Sequence, residues 1–123
     1  MVLITSSQRQ RLLFLNYVQR VSPGELEEAR AELEAALAGL PHGLRLLADL
    51  SQVEFMDPAC VAELGRAMDL FDQHGVSLIV RVIPDPTKDI GLSILTVFHY
   101  SHRPRVINCQ SLAEALHQLS IWP

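Results

Sequence analysis

Apolar residues follow two rhythms along this chain, and each rhythm predicts a different element. Residues 11–18, RLLFLNYV, are dense in aliphatic and aromatic types and predict a strand, hairpinned with a shorter one over Val2–Thr5. From Leu26 the apolar spacing changes to three and four residues. Leu26, Ala29, Leu33, Leu37 and Leu40 then share one helical stripe, while Glu25, Glu27, Glu28, Glu32 and Glu34 form a solvated acidic face. Ser22-Pro23-Gly24-Glu25 starts this helix, because a capping serine and a proline at the first position satisfy or dispense with unpaired backbone N–H groups. Pro41-His42-Gly43 ends it.

Residues 44–50, LRLLADL, are apolar at most positions without alternating, the pattern of a strand covered on both faces and running parallel to its neighbours. A second helix over 59–75 follows, with Cys60, Leu64, Met68 and Phe71 as its apolar ridge. In it Gly65 and Ala67 allow close approach, and Glu63, Arg66 and Asp69 point outward. After His74-Gly75, residues 76–83 form another aliphatic strand, so the central third reads as a βαβ unit. Asp85-Pro86 repeats the acceptor-then-proline helix start and opens a third helix reaching about Tyr100. Ile90, Ile94, Val97 and Phe98 account for one buried stripe of it. Leu92 and Leu95 widen the apolar arc beyond what a surface helix carries, so something else is expected to cover it. A short strand over Arg105–Asn108 precedes Ser111-Leu112-Ala113-Glu114, a second capping box leading into Leu112, Ala115, Leu116 and Leu119. The expected architecture is a single α/β domain spanning 1–123, with one layer of four to five strands in a mixed sheet and about four helices.

Composition narrows the function classes. A net charge of -4 offers no basic field for a phosphate backbone, which argues against nucleic acid. The opening MVLITSSQRQ has no charged region leading into a long apolar one, and no stretch approaches the roughly 18 apolar residues of a membrane span. A cytoplasmic protein with no membrane association is expected, and its two cysteines, Cys60 and Cys109, are expected to be free thiols.

The stretch FMDPAC, residues 55–60, lies where a parallel strand gives way to a helix, the end of an α/β sheet where function collects. Asp57 accounts for the helix start and Pro58 for its first position, but a small, smooth tip is not required by capping alone. The run LLADLSQVEFMDPACVAELGRAMDLFDQHGVSLIVRVI resembles the central strand, signature turn, second helix and next strand of the STAS domain, the module of anti-anti-sigma factors and of sulfate-transporter cytoplasmic tails. The resemblance covers about residues 44–119 and implies the STAS fold and a protein partner, an anti-sigma factor or signalling kinase. In the bacterial antagonists the signature reads Asp-Ser-Ser/Thr-Gly, and its first serine is phosphorylated. Asp57 matches the aspartate, whereas Pro58 stands in place of that serine, and Ala59 and Cys60 replace the next two residues. Proline has no hydroxyl, so a phosphate worth about -1.5 to -2 charges cannot be added at 58.

Catalytic chemistry needs converging groups, and few are offered. A helix N-terminus lowers a thiol pKa, yet Asp57 is three residues from Cys60 and Cys60 falls on the apolar ridge, so a buried structural thiol is expected. His99 and His102 have a spacing that suits a metal, but no carboxylate or cysteine in nearby sequence completes a set, and they read as surface or capping groups. No phosphate-binding loop, G-x-S-x-G or C-x-x-C is present. The expected protein is a non-catalytic binding module with neither metal nor cofactor, docking a partner through Asp57, Pro58, Ala59, Cys60, Glu63 and Arg66. The apolar excess at Leu92, Leu95, Phe98 and Tyr100 has two alternative uses, as the contact of a homodimer or as the lining of a site for a lipid-like ligand.

Overall fold

The computed structural model describes residues 1–85 and 95–122. Five strands form one sheet in the order β1-β2-β3-β4-β5: β1 Val2–Ser7, β2 Leu12–Val21, β3 Arg45–Met56, β4 Leu78–Val82 and β5 Arg105–Cys109. Only β1 and β2 are antiparallel, and β2 through β5 are parallel throughout. The hairpin of β1 and β2, the parallel centre and the mixed sheet match the sequence expectation.

Three helices and one shorter helical segment pack on this sheet. Helix α1, Pro23–Ala38, starts as its capping box predicts, with the Glu25 N–H donating to Ser22 Oγ at 3.3 Å. Helix α2 covers Val61–Gln73, a helical segment covers 95–99, and α3 covers Leu112–Ile121, where the Glu114 N–H donates to Ser111 Oγ at 3.2 Å. The helix start at Pro86 and the stripe residues Ile90, Leu92 and Ile94 lie outside the described residues.

Alternation along the strands divides the core into two clusters. Leu13, Leu15 and Tyr17 on β2, Leu46 and Ala48 on β3 and Ile79 on β4 face α1 and α2, and meet Leu33, Leu37, Met68 and Phe71. Leu47, Leu78, Val80, Val82 and Cys109 face the other way and are closed by Ala115 and Leu119 of α3. Burying each leucine, valine or phenylalanine of this kind stabilises by about 1.5–3 kcal/mol, so both faces of the central strands contribute. That double coverage is why LRLLADL does not alternate.

Two strands run past their expected ends. β3 runs on from Leu50 to Met56, and β2 runs to Val21, while β4 pairs with β3 only as far as Asp49. Beyond Asp49 the two strands therefore form a two-stranded arm, paired up to Arg20 with Phe55 and Val21 with Met56, with register shifts on the way. The arm carries the turn at residue 57 past the end of the neighbouring strand. Among the described residues no helix is long and apolar enough to cross a membrane.

Candidate docking turn

The turn is tied to the arm by backbone bonds. The Asp57 N–H donates to Val21 O at 3.2 Å, and Asp57 Oδ1 accepts from the Ala59 N–H at 2.8 Å. The Cys60 N–H donates to Asp57 O at 2.8 Å, which closes a single 3-10 turn over Pro58–Cys60 before α2 begins. Asp57 therefore caps the helical run with Pro58 in its first position, as the sequence implies.

Pro58 and Ala59 are exposed at the tip. Phe55 and Val61 flank them and are 50% and 51% exposed, so the uncharged surface is larger than the tip itself. The Arg20 guanidinium lies 5.6 Å from the centre of the Phe55 ring, an attraction between a cation and a ring face.

Cys60 points inward. It is 1% exposed, and its thiol donates to Val21 O at 3.5 Å. Burial and then the nearby Asp57 carboxylate raise its pKa, so the thiol form is favoured over the thiolate. The helix-start geometry thus does not make this cysteine a nucleophile.

Glu63 is a correction to the outward face assigned to α2. It is buried, with 9% exposure, and accepts from Arg30 of α1 on one oxygen and from Arg66, at 2.5 Å, on the other. The reason is helix-on-helix packing. The side of α2 that turns away from the sheet next to Gly65 turns toward α1, and periodicity within α2 does not register that neighbour. The hydrogen bond from Arg30 is the main cause that holds the Glu63 carboxyl below its usual range. Arg66 remains on the surface, with 58% of its side chain exposed.

Farther down α2, two histidines are held by two carboxylates. His99 Nδ1 lies 2.8 Å from Asp69 Oδ1, and His102 Nδ1 lies 3.1 Å from Asp72 Oδ1. The Ser101 hydroxyl adds a bond of 2.7 Å to Asp72 Oδ2. Burial alone would raise the Asp72 pKa, but these hydrogen bonds outweigh it and the net shift is downward. Sequence distance hid both pairs, since each joins residues thirty apart. Among the described residues no group of three or more His, Cys, Asp or Glu side chains converges on a metal-sized site.

The apolar residues grouped before Arg105 divide. Leu95 packs against the first core cluster and Tyr100 is 5% exposed, whereas Val97 and Phe98 are 80% and 79% exposed. Leu92 lies outside the described residues.

The parallel sheet with helices on both faces, an antiparallel first strand and the turn at the β3–α2 junction define the STAS fold. No protein-family model and no curated protein sequence matches the chain. Solved structures do. An uncharacterised protein of the DUF3478 family with a SpoIIAA-like fold, from Shewanella loihica, superposes with a TM-score of 0.72 at 15% identity, over 97% of this chain and 92% of that one. The Bacillus cell-fate determinant SpoIIAA in its phosphorylated form gives 0.64 at 13% identity, over 97% and 99%. An anti-sigma-factor antagonist (STAS) domain protein from Planctomyces limnophilus gives 0.58 at 22% identity, over 97% of each chain. At these identities the likeness is one of fold.

Proposed function

We propose that this chain is a single-domain, non-catalytic regulatory module of the cytoplasm that binds another protein through the 57–60 turn, and that binding there is not governed by phosphorylation of the turn. The observation that supports it is the exposed, uncharged surface of Phe55, Pro58, Ala59 and Val61 at the end of the β2–β3 arm. A contact with an apolar centre and a charged rim suits a transient protein partner, and Arg20 and Arg66 stand where that rim would be. Cys60 and Glu63 lie beneath the surface and hold its shape. Anti-sigma antagonists share the fold, so an anti-sigma factor or a signalling kinase is the partner class proposed.

The test is incubation with the anti-sigma kinases of the source organism and labelled ATP, followed by gel filtration. A stable complex without label on this chain is expected, and Val61→Asp should abolish it while leaving the fold intact. Label incorporated at the turn would overturn the reading. A homodimer through Val97 and Phe98 is a second use of this molecule, favoured by their exposure. Sedimentation of Phe98→Glu as a monomer, beside a dimeric parent, is the expected result.

A further inference from the structure

Strand β1 closes one side of the sheet with nothing to guard its outer edge. Its sequence, VLITSS, holds no charge and no proline, and its register with β2 runs from Val2↔Tyr17 to Ser7↔Leu12 without a bulge. Natural sheets blunt their edges with those devices, because an open row of N–H and C=O groups is a template for another strand. The opposite edge has one, since β5 carries Arg105.

The ladder fixes which groups of β1 face outward. Met1 and Val18 exchange both backbone bonds, the Met1 nitrogen donating to Val18 O at 2.8 Å and the Val18 N–H to Met1 O at 2.7 Å. Bonded and non-bonded pairs alternate along an antiparallel ladder, so Leu3, Thr5 and Ser7 also bond to β2. Val2, Ile4 and Ser6 therefore turn their N–H and C=O groups away from the sheet, and no described residue bonds to them.

These outward groups are spaced symmetrically about Ile4. A second β1 laid antiparallel across a two-fold axis at Ile4 sets Ile4 against Ile4 and Val2 against Ser6. Every outward donor of one copy then meets an acceptor of the other, with no charge of the strand set against its like. The same register sets Leu3 of one copy beside Thr5 of the other, on the face that carries α3. Leu3 is 47% exposed, and Thr5 walls an open groove of about 300 Å³ with Phe14, Leu112 and Leu116, so pairing covers apolar surface that the single chain leaves wet. The ends agree in sign as well. Exposed Arg9 and Arg11 follow Ser7, whereas Glu25 of α1 meets the Met1 nitrogen at the Val2 end, and antiparallel pairing brings the basic end of each copy to the acidic end of the other.

We infer that β1 is a contact between two copies of this chain, their sheets joined edge to edge about a two-fold axis at Ile4. One strand from each copy buries less than the roughly 1,000 Å² of a stable complex, so the pairing is weak and leaves Phe98→Glu monomeric in dilute sedimentation. It is separate from the docking turn and from Val97 and Phe98, and its failure leaves both readings untouched.

The test reads the register covalently, in chains that also carry Phe98→Glu so that the other contact cannot contribute. Leu3 and Thr5 would form a non-bonded antiparallel pair with Cα atoms about 4.5 Å apart, which a disulfide spans. Under mild oxidation at high concentration, an equimolar mixture of Leu3→Cys and Thr5→Cys should cross-link at least about tenfold faster than either variant alone. Cys60 and Cys109, 1% and 2% exposed, take no part. Ser6→Pro removes only an outward N–H, which an edge strand tolerates, and should return the mixture to the rate of the single variants. A mixture no faster than its components, or one that Ser6→Pro leaves unchanged, would overturn the contact.

Discussion

The imidazole of His99 lies against the backbone of Gly65 so closely that a Cβ there would stand 2.6 Å from Nε2 and 2.8 Å from Cε1. Four residues along the same helix, Asp69 holds the other ring nitrogen. Residues four apart on a helix share a face, so a missing side chain and an acid one turn later together form a seat for the ring. This seat joins the 95–99 segment to α2.

Gly65→Ala is the direct probe of that seat. In an open helix alanine would stabilise by about 1 kcal/mol over glycine. Here the methyl group displaces the ring from Asp69, so the substitution should lower the urea midpoint of the parent protein. In a His99→Ala background the obstruction is gone, and the same substitution should stabilise by about 1 kcal/mol. Equal responses in the two backgrounds would show that the ring is not seated on Gly65.

At the turn, the single side-chain bond from Asp57 to the Ala59 N–H sets the expected cost of its loss. Asp57→Ala should destabilise by about 1 kcal/mol, whereas Asp57→Asn retains an acceptor and should cost much less. Urea denaturation reads both.

Pro58→Ser supplies the hydroxyl that the turn lacks, at an exposed position. The stability change should stay within about 0.5 kcal/mol, as for other surface substitutions. If the docking reading holds, the serine should accept label from the kinase that binds the parent chain. Its phosphate, with about -1.5 to -2 charges beside Asp57, should then release the complex. Release without labelling would separate the two effects and count against the reading.

Both thiols should resist modification. Cys60 and Cys109 are 1% and 2% exposed, and burial is the main cause that raises each pKa. A colorimetric thiol reagent at neutral pH should label neither in the native protein and both in urea. Rapid labelling of Cys60 in the native state would mean that the 3-10 turn opens.

Much of the fold was legible because its signals are local. The β1–β2 hairpin, the α1 stripe from Leu26 to Leu40 and the capping serines at 22 and 111 depend on residues within a turn or a strand of each other. The extension of β3 was missed because Ser51 to Met56 lies on a two-stranded arm, where exposed Gln52 and Glu54 alternate with Val53 and Phe55 and interrupt the apolar run. The alternation was itself a strand signal of period two. At the candidate site, the cap at Asp57 and the inward thiol of Cys60 follow from helix geometry. Glu63 does not, since its burial depends on Arg30 from another helix. Arg81 carried a usable signal that periodicity discards, a single charge inside LIVRV, and such a charge must find polar company or shape a cavity.

Glu63 also gives the acid limb of the stability curve a defined origin. Its pKa in the folded protein lies below the usual value, chiefly through Arg30 and with help from Arg66, while in the unfolded chain it returns to about 4.3. A depressed folded value means that the unfolded state binds the proton first. The stabilisation is therefore complete above about pH 4.3 and is lost as pH falls through the lower folded value. Glu63→Gln removes the charge at every pH and should be less stable than the parent near neutrality. The gap between the two urea midpoints should then narrow steadily as pH is taken below the usual glutamate range. Asp72, whose pKa is also lowered, remains in both proteins and cancels in the difference. A gap that stays constant from neutral pH into the acid range would mean that the carboxylate between Arg30 and Arg66 contributes through shape alone.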